Sequence, residues 1–260
     1  MYVELDLNFF RDQMHIVYLG FARDLLASII VDRMLEAGVA PQGRQKYLQQ
    51  LTISMNKWLT LHHRGKAVRR TFTWANIGAD GACYPELSGM FKASAIKAMV
   101  FYFAYVCKDD CTERGKLRAT CMWALADYVY RCGRHGLFIA YHDRRVLMSR
   151  GRLHLVTYYM LAHHAADRSE RLYKIRPKHH AFDELLSSLL KSCLNPDRFS
   201  TWTDEDYLGK LKRIACRCHG SSVLSRCLQR YMLNCSLRFA TRRRRGRWLC
   251  VKSAVAFHGG

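Results

Sequence analysis

Apolar residues recur at spacings of three and four along most of this chain, a period that fits one face of an α-helix and not the alternating face of a strand. In residues 9–37 the positions Phe10, Met14, Val17, Tyr18, Phe21, Leu25 and Ile29 keep that spacing, and Gly38 and Pro41 supply a stop. Residues 45–62 repeat it through Leu48, Leu51, Met55 and Leu59. The two stretches predict an N-terminal helical hairpin over residues 1–64. Gly65, Gly78, Gly81 and Pro85 then break the pattern around a short Thr71-Phe72-Thr73-Trp74 run that suits an extended conformation. Residues 65–85 read as an irregular connection.

Residues 86–108 and 116–132 resume as two apolar, aromatic-rich helices buried on most faces, joined by the polar turn Asp109-Asp110-Cys111-Thr112-Glu113. Residues 153–166 predict another helix. Pro177 suits a first turn, and the helix it opens, through Phe182, Leu185, Leu186, Leu189 and Leu190, should stop before Asn195-Pro196. Thr203-Asp204-Glu205-Asp206 reads as an N-cap with acids that complement the dipole of a helix reaching about His219. Gly220-Ser221-Ser222 breaks it and caps residues 223–240, whose stripe is Leu224, Cys227, Leu228, Tyr231, Leu233 and Cys235. The expectation is an all-α fold, an irregular bundle of seven or eight helices with a Gly-rich interruption near 65–85. The main helical domain is placed at 86–240 and a basic, disordered tail at 241–260. At 260 residues such a chain buries roughly three quarters of its unfolded surface, enough for a core without disulfides.

Charge is the outlying quantity. The chain has 42 Lys and Arg against 21 Asp and Glu, a net +21, and residues 171–260 hold 19 basic and 6 acidic residues. Such an excess favours a polyanionic partner: nucleic acid, an acidic protein or an acidic membrane surface. A solvated basic face kept for solubility is the alternative. The eleven cysteines lack the regular framework of a small secreted domain, and the first residues, Met1-Tyr2-Val3-Glu4-Leu5-Asp6, do not read as a signal peptide. An intracellular protein, cytoplasmic or nuclear, is the expectation. The longest apolar run, residues 98–107, is about half a bilayer span, so no membrane span is expected.

Several constellations invite a chemical reading. His180 and Glu184 share a helix face, and with His179, Asp183 and the acids Asp204, Glu205 and Asp206 they form the candidate set for a metal-dependent enzyme. The spacing is no specific ligand signature, and capping and ion pairing explain it as well. Cys216, Cys218, His219, Cys227 and Cys235 are the zinc candidates, but Cys-x-Cys on a helix sends its thiols to opposite faces, so small core cysteines explain them better. Cys107 and Cys111 stand four apart as a weak redox pair. The pairs His62-His63 and His163-His164 fall at helix ends, where the dipole favours cations. No Gly-x-Ser-x-Gly, Walker loop or Gly-x-Gly-x-x-Gly is present, which disfavours the common hydrolases and nucleotide-binding enzymes. Neither a catalytic residue, a metal ligand nor a cofactor is assigned.

The leading reading is a non-enzymatic, basic helical module that binds DNA or RNA. Its residues are Lys210, Lys212, Arg213, Arg217, Arg226 and Arg230 with the tail arginines Arg242, Arg243, Arg244, Arg245 and Arg247, whose forks suit phosphates beside Trp248, a ring that can stack on a base. The same tail also fits a nuclear import signal or an idle terminus. A protein-interaction scaffold with incidental charge and the metal-dependent enzyme are the alternatives.

Tyr173-Lys174-Ile175-Arg176-Pro177-Lys178-His179-His180, Asn195-Pro196, Trp202, Asp204-Glu205-Asp206, Gly209, Lys212-Arg213 and Arg230-Tyr231 form a pattern that resembles a protein family encoded in many copies in dinoflagellate genomes. Tyr84-Pro85-Glu86-Leu87 with Phe91-Lys92-Ala93 is similar to an upstream element of that family, so the resemblance covers about residues 84–239. It implies a shared fold and, since the family carries no established activity, no functional residue.

Overall fold

In a computed structural model of the chain, the apolar period of residues 14–36 becomes one long helical rod with a fault in it. Met14–Phe21 is wound as a π-helix, Gly20 leaves helical geometry at φ −112° and ψ −125°, and α1 follows as Ala22–Glu36. Lys178 fills the fault: its Nζ donates to the carbonyls of His15 at 3.0 Å and Leu19 at 3.1 Å. A Cβ on Gly20 would lie 2.6 Å from Lys178 Cδ and 2.9 Å from the His15 carbonyl, so only glycine fits. The structure describes residues 12–62, 68, 70–79, 83–198 and 200, together with Lys212, Ala215, Cys216, Ser222, Ser225, Arg226, Leu228, Gln229, Met232 and Leu233.

The other helices are α2 (Arg44–Leu61), α3 (Ala93–Cys107), α4 (Glu113–Arg134), α5 (Tyr141–Asp167) and α6 (Pro177–Lys191). Thr112 caps α4 by accepting from the Gly115 amide at 2.9 Å. α6 opens on Pro177, with His179 Nδ1 turned back to 3.1 Å from the Arg176 amide. α4 and α5 pack along their length, α3 lies against α4, α6 lies against α5 and the π-helix, and both α1 and α2 pack on α3. Two compact units divide the chain, Met1–Ser200 and Thr201–Gly260. All six helices belong to the first; in the second, Lys212, Ala215, Ser225, Arg226, Leu228, Gln229, Met232 and Leu233 are helical.

The all-α class is as expected, but the helix count is six among the described residues, where seven or eight were expected. The two helices expected between residues 204 and 240 and the tail at 241–260 lie mainly or wholly outside the described residues. Residues 86–92 are not helical, because Pro85 and Leu87 are buried as an irregular strap that ends at α3. The helix expected at 153–166 begins three turns earlier, at Tyr141, since polar Asp143, Arg144 and Arg145 hide its apolar period. Thr71-Phe72-Thr73-Trp74 forms no strand; Phe72 is buried and its amide donates to Thr52 Oγ1 at 3.0 Å. Met14–Glu36 is long and apolar enough to cross a membrane, with a mean hydropathy of 1.5, but 83% of that window is buried, as befits the central helix of a core.

α1 is apolar on almost every side, yet Asp24, Ser28, Asp32 and Glu36 follow one another at i+4 and form a polar seam down one edge. The seam is filled by the segment before α6. Arg176 pairs with Asp24 at 2.7 Å and also with Glu86 of the strap. The Tyr173 amide donates to Ser28 Oγ at 2.9 Å, and its phenol donates to Asp32 at 2.5 Å. Both ends of Tyr173 are thus tied, which holds it at the left-handed φ of 57° that an aromatic residue otherwise avoids.

Asp32, 1% exposed, also faces Arg114 at 3.0 Å and Arg118 at 2.9 Å. Arg114 continues to Glu170 at 2.6 Å, and Arg118 to Asp110 at 3.2 Å and to Glu36. Arg33 closes the set on Asp110. Three arginines therefore meet four carboxylates, with Asp32, Arg114 and Arg118 buried and Arg33, Glu36, Asp110 and Glu170 towards the surface. A network of this kind adds little net stability over an apolar core, but a missing member leaves a buried charge without its partner. It accordingly fixes which helix faces which.

A second clamp sits at the far end of α4. Asn195 is fully buried, and its Nδ2 donates to the carbonyls of Cys132 at 2.8 Å, His135 at 3.2 Å and Gly136 at 2.9 Å. A single antiparallel bridge, Phe138 with Leu194, ties the α4–α5 loop to the chain after α6.

Candidate nucleic-acid interface

Of the residues that sequence assigned to nucleic-acid binding, Lys212 and Arg226 are described, and both are exposed. Lys210, Arg213, Arg217, Arg230, Arg242, Arg243, Arg244, Arg245 and Arg247 lie outside the described residues, so the assigned set has no geometry as a whole.

The first unit carries a basic face of its own. Between Trp123 and Arg152 the sequence holds six arginines against two aspartates. Trp123, Asp127, Tyr130 and Arg134 follow one another at spacings of four, three and four, which places them on one side of α4 over about 16 Å. That side looks outward: Trp123 is 47% exposed and Tyr130 38%. Arg150 reaches across from α5 and sits 4.5 Å over the Trp123 ring while bonding Asp127 at 2.9 Å. Arg131 bonds the same carboxylate at 2.9 Å. One aspartate thus orients two arginines and neutralises one.

Arg134 stands 5.6 Å over Tyr130 and donates to the Tyr130 hydroxyl at 2.8 Å. On α4, ring and guanidinium therefore alternate along the face. A further pair stands at the start of α5, where Arg144 lies 5.3 Å over Tyr141, which is 59% exposed, and donates to the Leu189 carbonyl of α6 at 3.2 Å. Such pairs present flat, weakly hydrated cations beside flat rings, a surface that suits phosphate and base together.

Of the residues proposed for metal-dependent chemistry, the two histidines point apart. His179 is fully buried against Phe21 and Tyr158, with ring centroids 5.1 Å and 4.4 Å away, whereas His180 is exposed and faces Glu184 at 3.4 Å. Their divergence follows from the step of about 100° between adjacent helix positions. Asp204, Glu205 and Asp206 lie outside the described residues. No group of three His, Cys, Asp or Glu that could hold a metal exists among the described residues. Cys107 is buried at the end of α3 and Cys111 is exposed, both as free thiols; burial, with Asp110 nearby, pushes the Cys107 thiol up to about 12. Of the zinc candidates only Cys216 is described, and it is exposed and free.

His179 has a counterpart that helical spacing alone does not single out. His154 on α5 is fully buried and also packs on Phe21, with ring centroids 5.2 Å apart, its Nδ1 3.1 Å from the Cys121 carbonyl and 3.3 Å from the Cys121 thiol. Burial lowers both imidazoles to about 4, so each is neutral near pH 7. The Cys121 thiol is itself pushed up to about 12 by complete burial, which leaves a Cys–His contact without an active thiolate. These are core residues. Searches against protein-family models, curated proteins and solved structures find no match to the chain.

Proposed function

We propose that the chain is a non-enzymatic, basic helical module that binds nucleic acid. The observation that carries the reading is the row of exposed rings with part-exposed guanidiniums over and beside them from Trp123 to Arg150 on α4 and α5, in a chain of net charge +21. Lys212 and Arg226 add exposed charge in the second unit, and the tail arginines 242–245 and 247 extend the basic sequence. Phosphate binding by such residues releases counterions, so affinity should fall steeply with salt. A shared fold with the dinoflagellate family belongs to the same reading. Tyr173, Arg176, Lys178 and Asn195, which carry the resemblance, each tie two or more segments together, so a chain that keeps them keeps this architecture.

A protein-interaction scaffold is the second reading. It is favoured by the exposed Val156 and Met160 on α5, 55% and 44% exposed. Fluorescence anisotropy of labelled oligonucleotides with the full chain, at several salt concentrations, separates the two. Binding that is tight at low salt and weakens linearly on a log–log plot supports the nucleic-acid module; no binding at low salt removes it and leaves the scaffold.

A further inference from the structure

Resting on that nucleic-acid reading, we infer that the α4–α5 face takes single-stranded rather than duplex nucleic acid, with bases stacking at Trp123 and Tyr130. In a duplex the bases are already stacked on each other and present only their edges, whereas an unpaired strand offers whole faces. The two rings are 47% and 38% exposed. Each has an arginine at 4.5–5.6 Å, close enough to stack with it and to meet the adjoining phosphate. Trp123 and Tyr130 are about 10 Å apart along α4, too far for one base to bridge and close enough for one strand to visit both.

The order ring, cation, ring along α4 is what an unpaired strand can use, whereas a surface that grips a duplex needs charges at phosphate spacing and no rings between them.

The test compares the full-length protein with the variant Trp123→Ala and Tyr130→Ala on a labelled single strand and on a duplex of equal length. Loss of a stacked base weakens binding by about 5-fold to 150-fold per ring. The expected result for two rings is therefore a loss of at least about 25-fold on the single strand, with duplex affinity changed by less than about 3-fold. Equal losses on both ligands, or none on the single strand, overturn the inference while leaving nucleic-acid binding in place. Wild-type protein that binds neither ligand fails the underlying reading instead. Since both side chains are half-exposed, the variant should keep its thermal midpoint. If it does not, Trp123→Phe with Tyr130→Phe serves as a second comparison: it retains rings, and single-strand binding within about 5-fold of wild type is then required.

Discussion

Replacing Asp32 by alanine tests whether the buried network orients the helices as described. Asp32 accepts from Arg114 Nε at 3.1 Å, Arg118 Nη1 at 2.9 Å and the Tyr173 hydroxyl at 2.5 Å, all in a site only 1% exposed. Hydrogen bonds to a buried charge contribute roughly 1.5–3 kcal/mol each, which summed without relief comes to about 4–9 kcal/mol. Relief exists: Arg114 keeps Glu170, and Arg118 keeps Glu36 and Asp110. The net loss should fall near the lower part of the range measured for breaking a buried pair, about 3–4 kcal/mol. For a domain of this size that lowers the thermal midpoint by about 6–16 °C. Urea is the denaturant of choice, because guanidinium is a salt and screens the interaction under study. An unchanged urea m-value with a loss under about 1 kcal/mol would show that the three donors do not depend on Asp32, and the account of the seam would be wrong.

Acid should weaken the protein in a defined window. His154 and His179, near 4 when folded and about 6.5 when unfolded, bind their protons only in the unfolded chain between those values, so stability falls as pH drops from 6.5 to 4 by a little over 3 kcal/mol each. Asp24 works in the opposite sense. Burial raises it to about 6 despite Arg176, so its proton joins the folded state first and returns nearly 3 kcal/mol. A net loss of about 3 kcal/mol is expected from urea midpoints measured between pH 7 and 4.5, a window that spans only part of each titration, and a flat series rules it out. Gly151 of α5 is the contact point with α6: a Cβ there would lie 2.4 Å and 2.5 Å from the two methyls of Leu186. Gly151→Val should cost about 1–3 kcal/mol or more and be partly rescued by Leu186→Ala, a double-mutant cycle that fails if the two changes simply add.

Apolar spacing was enough to find α2 and α6 within one or two residues, because their polar and apolar faces are cleanly divided. It failed for the first three turns of α5, where Tyr141, Asp143 and Arg144 serve loop closure and capping instead of the core. The seam of α1 was legible in principle. Asp24, Ser28 and Asp32 recur at i+4 among the buried apolar residues of the helix, and buried polar groups require partners. What a single sequence cannot show is which of 42 basic residues supplies them. The site was read least well, since Trp123, Tyr130 and Arg134 sit in a helix whose apolar content implied burial on most faces, and only its packing between α3 and α5 shows which side is left to solvent. His179 misled for a related reason: next to His180 it resembles a ligand pair, yet one turns into the core and the other out.

The seam also bears on how the protein comes into being. Tyr173 reaches Ser28 across 145 residues and Asp32 across 141, and Arg176 reaches Asp24 across 152. A nascent chain emerging from the ribosome therefore presents the carboxylates of α1 long before their counter-charges exist. Arg114 and Arg118 arrive first, and the rod can be sealed only after Lys178 has been synthesised and released from the exit tunnel. Until then α1 waits with its ionic edge half matched, a period in which a chaperone has the most to protect. A chain cut before Leu172 has no means of completing that edge, whereas the cut-off piece, supplied separately, contains what is needed to complete it.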